Sequence, residues 1–100
     1  IGGILSEFKR NYESRDIQAL RRTSEMSEGR ARFLEQVFQN YSSISTAIAD
    51  LSLTGESASA VILITKLVDR EGNTVPPGDA WKRTKVILKK QGNQWGKVIW

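Results

Sequence analysis

"EQVFQNYSSISTAIADLSL", Glu35 to Leu53, changes its period in the middle. Before the change, Phe33 with Leu34, Val37 with Phe38, and then Tyr41 recur three and four residues apart, which groups them on one side of a helix ending near Asn40. Beyond Tyr41 the pattern alternates: Ile44, Thr46 and Ile48 share one strand face. The phase then slips to Leu51 and Leu53, as a bulge near Asp50 produces. A chain that passes once from a period of 3.6 to a period of 2 places helices first and strands after.

On the N-terminal side, Ile4, Leu5, Phe8 and Tyr12 make one apolar face of about three helical turns. That helix is expected to stop near Ser14-Arg15. Asp16 then caps a second short helix, with Ala19 at its third position and Ile17 and Leu20 facing inward. "YESRDIQALRR", Tyr12 to Arg22, is therefore a corner rather than a rod. Ser27 is positioned to cap the third helix. On the C-terminal side, "TGES" supplies a turn, and "ASAVILITKLV" follows, apolar at every position from Val61 to Ile64. "DREGNTVPPGD" reads as a loop, "AWKRTKVILKK" as a third strand and "QWGKVIW" as a fourth, after a turn at Gln91-Gly92-Asn93. The expectation is an α+β fold in which three N-terminal helices pack in the concave face of a curved four-stranded antiparallel sheet.

Composition agrees with one small domain spanning residues 1–100. The chain is 39% hydrophobic and 26% charged, enough for a thin core, and its eight aromatic residues supply large buried areas without metal or disulfide staples. It contains neither Cys nor His. Thiol nucleophiles, Cys and His metal sites and Ser-His-Asp machinery are thereby excluded, while the compartment stays open. A net charge of +4 permits attraction to nucleic acid or anionic lipid without requiring it. No apolar run approaches the roughly 18 residues of a membrane span. Ile1-Gly2-Gly3 reads as a cut end, which points to a domain excised from a longer protein. No metal-ligand cluster or phosphate-cradling glycine loop accompanies it, so no cofactor is expected.

The order of elements and several stretches carry a resemblance. In "FKRNYESRDIQALRR", "DLSLTGESASAVI" and "TKVILKKQGNQWGKVI", Tyr12, Asp16 with Leu20, Gly55 with Ala58, and Gly92 with Trp95 match a recurring pattern. The chain resembles small bacterial members of the nuclear transport factor 2-like (cystatin-like) superfamily, whose other branches include ketosteroid isomerase, SnoaL-type polyketide cyclases and scytalone dehydratase. The resemblance implies a cone-shaped sheet, a cavity as the usual ligand site, frequent sheet-to-sheet pairing and attachment to a larger bacterial protein. Two features depart from it: the long hairpin of larger members is missing after the third helix, and the polar catalytic set has no counterpart. Asp50, Asp69 and Asp79 fall at a bulge or in and beside a loop, where carboxylates are solvated and ordinary.

If the cavity is kept, Phe8, Tyr12, Phe38, Ile62, Ile64, Thr84, Val86 and Trp95 are expected near its walls, open to a small apolar ligand. Plain packing is the preferred reading of these residues, because a pocket of about 300 Å3 is hard to hold open in so small a domain. Val61, Leu63 and Leu67, with Ile87 and Trp81, are expected to face outward as an apolar patch. Such a patch fits a homodimer or an intramolecular domain partner, unless the loop from Asp69 to Asp79 folds back over it. Arg83, Lys85 and Lys89 on the third strand are better read as a solvated outer face than as a nucleic-acid surface, since only Trp81 accompanies them. Arg21, Arg22, Arg30 and Arg32 read as solvated helix faces or Glu partners. The leading reading is a non-catalytic association domain, with an isomerase- or cyclase-like enzyme and a nucleic-acid binder as alternatives.

Overall fold

The computed structural model describes residues 2–79 and 81–100. Ile1, which opens the segment expected to be a cut end, and Ala80, which opens the segment expected to form the third strand, lie outside them. Helix α1, Gly2–Glu13, buries Leu5, Phe8 and Tyr12. It ends where Arg15 takes a positive φ of 59° and the backbone N–H groups of Arg15 and Asp16 turn back to the carbonyls of Tyr12 and Asn11. Asp16 then begins α2, Ile17–Thr23, its carboxylate accepting the Ala19 N–H at 3.0 Å. The corner between two helices is as expected. Ser27 starts α3, Glu28–Asn40, in the same manner, accepting the Arg30 N–H at 3.1 Å.

Between α2 and α3 the chain forms a two-residue strand, β1, Ser24–Glu25. The sheet continues with β2, Tyr41–Thr54, β3, Ser57–Asp69, and β4, Arg83–Gln91, followed by the short β5, Gln94–Trp95, and β6, Val98–Ile99. The strand order is β1-β6-β4-β3-β2, with β5 pairing the end of β4. A tight turn at Gly55, φ 58°, joins β2 to β3. The three helices pack against a curved, cone-shaped sheet, as the sequence implies. The detail differs at the seam. The expected fourth strand breaks in two around Gly96, whose N–H bonds the Lys89 carbonyl at 2.9 Å, and β6 gains a parallel neighbour in β1. A two-residue strand is too short to show a period, so β1 has no signature in the sequence.

The β2–β3 pairing shifts register at three places, one of them at its start between Tyr41 and Ser43, and the remaining two set which side chains face the helices. One lies between Ala49 and Ser52, where Asp50 has φ 53°, at the expected bulge. The other lies between Ser45 and Thr46: these two neighbours pair with Lys66 and Ile64, so Thr65 is left over. That extra residue shifts the inward phase of β3 from Ile62 and Ile64 to Leu67.

Candidate functional site

Phe8, Tyr12, Phe38, Ile62, Ile64, Thr84 and Val86 are all buried where the helices meet the sheet. Trp95, expected with them, sits half-buried at the core's edge opposite Lys90. Trp100, also half-buried, packs onto the core's aromatic side chains. Its indole stands edge-on to Phe8 with centroids 4.8 Å apart and lies 5.8 Å from Tyr12, which in turn meets Phe38 edge-on at 5.7 Å. The Trp100 Nε1–H donates to Ser24 Oγ at 2.9 Å, and its backbone N–H donates to the Glu25 carbonyl at 3.1 Å. Arg30 closes the stack, its guanidinium 5.0 Å from the indole centroid.

The hollows beside this core open at its rim. One, of about 440 Å3, is lined by Ser27, Gly29, Arg30, Phe33 and Trp81. A second, of about 290 Å3, takes in Ile4, Phe8 and Lys97, and a third, of about 370 Å3, lies among Arg15, Glu35, Phe38 and Arg70. Of the expected wall residues only Phe8 and Phe38 border one of these three.

Burial pushes the Tyr12 phenol far above its ordinary range, opposed in part by the positive charge of Arg30. Tyr12 therefore stays protonated at any physiological pH. The carboxylate next to it in sequence, Glu13, is engaged elsewhere: it accepts the Thr46 backbone N–H at 2.7 Å and hydroxyl at 3.2 Å, and pairs with Lys9 at 3.1 Å. Partial burial raises the Glu13 pKa, but the Thr46 and Lys9 bonds outweigh it and hold the carboxyl below its usual range. Among the described residues the arrangement supplies a buried phenol whose charged neighbour is Arg30 rather than an acid.

On the other face of the sheet, β2, β3 and β4 align Ala47 with Leu63, Ala49 with Val61, and Ser59 with Ile87. Val61 and Leu63 are half-buried and Ile87 is 36% exposed. Leu67 and Trp81, expected on this outer patch, are not there. Leu67 is fully buried, because the extra residue Thr65 rotates it inward. Trp81 precedes β4 in a Gly78 turn and packs its ring against Phe33 and Tyr41, 6.3 and 5.9 Å away. Nor does the loop after Asp69 cover the patch, since it runs back along β3 through a Val68–Thr74 bridge and tucks Val75 against the core. Arg83, Lys85 and Lys89 are exposed on the outer face as expected, and Arg83 reaches Asp50 at 3.4 Å, spanning β3.

No protein-family model and no curated protein matches the chain. Solved structures do. One, from Novosphingobium aromaticivorans and named for a proposed aromatic ring hydroxylase, is 15% identical over 98% of this chain and 82% of its own, with a TM-score of 0.64. Another, named as an NTF2 variant with five substitutions, is 14% identical over 97% of this chain and 90% of its own, with a TM-score of 0.61. The chain has the nuclear transport factor 2-like fold. Identities this low establish the architecture and leave the chemistry to the residues themselves.

Within this nuclear transport factor 2-like frame, sequence reasoning misses the residues that close the cone. Phe33, expected inward, is 40% exposed on the rim, so its neighbours Leu34 and Val37 carry the helix's buried face. Arg30 is neither free in solvent nor paired with Glu; that role belongs to Arg21, which bridges Glu28 at 2.9 Å and Glu35 at 3.6 Å. Arg70, read only as part of a loop, caps α3 by donating to the Gln39 and Phe38 carbonyls at 2.7 and 3.1 Å. Arg15 ties the α1–α2 corner to the Tyr41 carbonyl at 2.8 Å. Both contacts join residues far apart in sequence, Arg70 to Gln39 across 31 positions and Arg15 to Tyr41 across 26, so no local pattern announces them. Among the described residues no helix is long and apolar enough to cross a membrane, and no group of acidic side chains gathers to hold a metal ion.

Proposed function

We propose that this chain is a non-catalytic association domain of a longer protein, pairing with a second copy of itself through the outer face of its sheet. The observation that carries this reading is the register of Ala47, Ala49, Val61, Leu63 and Ile87 on a sheet face that neither helix nor loop covers. Antiparallel sheets with one solvated face ordinarily alternate apolar-in with polar-out, and here Val61 and Leu63 of β3 are apolar on the outward side, flanked by Ala49 and Ala47 of β2 and by Lys85 and Arg83 of β4. The Arg83–Asp50 pair across it is exposed and worth little, so it yields to a partner. The area is modest. Seven paired positions between β3 and β4 make a face of a few hundred Å2, below the roughly 800 Å2 per partner of a standard interface. Pairing is therefore expected to be weak, at micromolar affinity or looser, and to be reinforced where the parent protein brings two copies together. A neighbouring domain of the same protein fits the same face. A small apolar ligand within the cone would have to displace packed core side chains such as Phe8 and Tyr12.

Sedimentation equilibrium up to about 1 mM tests the proposal. A dimer that Val61→Lys or Ile87→Glu converts to monomer, without change in the circular dichroism spectrum, is the expected result. A chain that stays monomeric throughout, or whose dimer ignores both substitutions, removes the self-pairing reading.

One observation favours a second reading, a small-molecule enzyme: the similar N. aromaticivorans structure is named for chemistry on aromatic rings. An isomerase- or cyclase-like mechanism would need an acid facing Tyr12, whereas the charge that acts on its phenol is Arg30. Turnover of an aromatic substrate that is lost on Tyr12→Phe would select this reading over association.

A further inference from the structure

The groove of about 440 Å3 at the cone's rim combines features the proposed pairing face does not use. Its charged lining residue is Arg30, and no acid lines it. Arg30 is half-buried, with its guanidinium carbon over the Trp100 ring 5.0 Å from the centroid. Among the described residues it forms no ion pair, and no side-chain hydrogen bond engages it. A guanidinium held over a ring and otherwise unpaired keeps N–H donors free, and two parallel N–H groups of a guanidinium match the two oxygens of a carboxylate. The opposite wall is apolar: Phe33 is 40% exposed and meets Trp81 edge-on. Ser27 adds a hydroxyl, and Gly29 leaves the floor clear of a side chain. The volume lies within the range of small-molecule sites.

We infer that this groove binds a small aromatic carboxylate, with Arg30 clamping the carboxylate and Phe33 and Trp81 holding the ring. An unpaired guanidinium beside exposed aromatic surface favours an anion that carries its own flat apolar body over either a bare anion or a neutral hydrocarbon. The site is on the helix side of the sheet and is independent of whether the outer face pairs.

The test is a titration of the 15N-labelled chain with 1-naphthoate, its neutral amide 1-naphthamide, and acetate, followed at the indole N–H signals of Trp81, Trp95 and Trp100. Naphthoate is expected to shift Trp81 and Trp100 but not Trp95, saturating with a Kd of about 1 mM or tighter. Naphthamide is expected to bind at least about fivefold more weakly, and acetate more weakly still. Arg30→Gln should cost about tenfold for naphthoate and leave naphthamide unchanged, while the exposed Phe33→Ala, which does not touch the Trp100 stack, should weaken both. Equal binding of acid and amide overturns the assignment, as does the absence of saturable shifts, an effect centred on Trp95, or a naphthoate isotherm that neither substitution alters.

Discussion

Replacing Trp100 by Ala tests whether its indole closes the cone. About half of an aromatic burial of roughly 200 Å2, at 25 cal/mol per Å2, accounts for about 2.5 kcal/mol. The edge-on contact with Phe8 at 4.8 Å adds about 0.5–1 kcal/mol, and loss of the hydrogen bond to Ser24 Oγ about as much again. The loss is therefore about 3.5–4.5 kcal/mol, a large part of the roughly 5–15 kcal/mol that holds a domain together. For a domain of this length it lowers Tm by about 15–30 °C. Thermal and urea unfolding monitored by far-ultraviolet circular dichroism measure it. Trp100→Phe keeps the ring contacts and loses the N–H donor, so it should cost only about 1 kcal/mol. Trp95→Ala, at the core's edge, is the control. If Trp100→Ala costs under about 1 kcal/mol, or less than Trp95→Ala, the indole does not hold the cone shut and the argument from a filled interior fails.

Two further perturbations address the elements around that core. Leu67→Ala should destabilise by about 2–5 kcal/mol and the half-buried Leu63→Ala by clearly less; equal costs in urea unfolding would mean that the extra residue Thr65 does not rotate the strand. Glu13, with its folded pKa depressed, contributes stability that is present above the unfolded carboxylate range near pH 4.3 and is lost as pH falls through the lower folded value. Urea midpoints between pH 3 and 7 should accordingly fall more steeply in the native chain than in Glu13→Gln, and parallel profiles would show that the bond to Thr46 carries no weight.

What the sequence discloses follows the range of the interaction involved. The α1–α2 corner, both helix caps and the Asp50 bulge were legible because each is settled within a few residues: Asp16 reaches Ala19, Ser27 reaches Arg30, and Asp50 marks its own phase slip. Leu67 was misplaced because the deciding irregularity involves the partner strand, where Ser45 and Thr46 skip Thr65, and an unbroken apolar run such as Val61 to Ile64 hides a change of phase. Trp81 and Phe33 exchanged roles for a related reason. Strand β4 begins at Arg83, two residues later than its alternation suggests, which frees Trp81 to turn toward α3 and leaves Phe33 at the rim.

The candidate site was the least legible part because it is built on a contact 76 residues apart in sequence. Trp100 and Ser24 come together only when β1 and β6, each two residues long, pair in parallel. Each strand is too short to be stable by itself, and Trp100, directly after β6, is tied to β1 by its indole N–H on Ser24 Oγ and its backbone N–H on the Glu25 carbonyl. Opening the cone therefore means parting this seam as a unit, so the interior and this long-range contact are governed by one local equilibrium. A ligand that entered the interior would have to compensate that parting, whereas one bound at Arg30 on the rim would leave the seam closed and tighten the guanidinium against the same indole. The two modes predict opposite changes in hydrogen exchange at Glu25 and Trp100: faster for a ligand inside the cone, slower for a ligand at its rim.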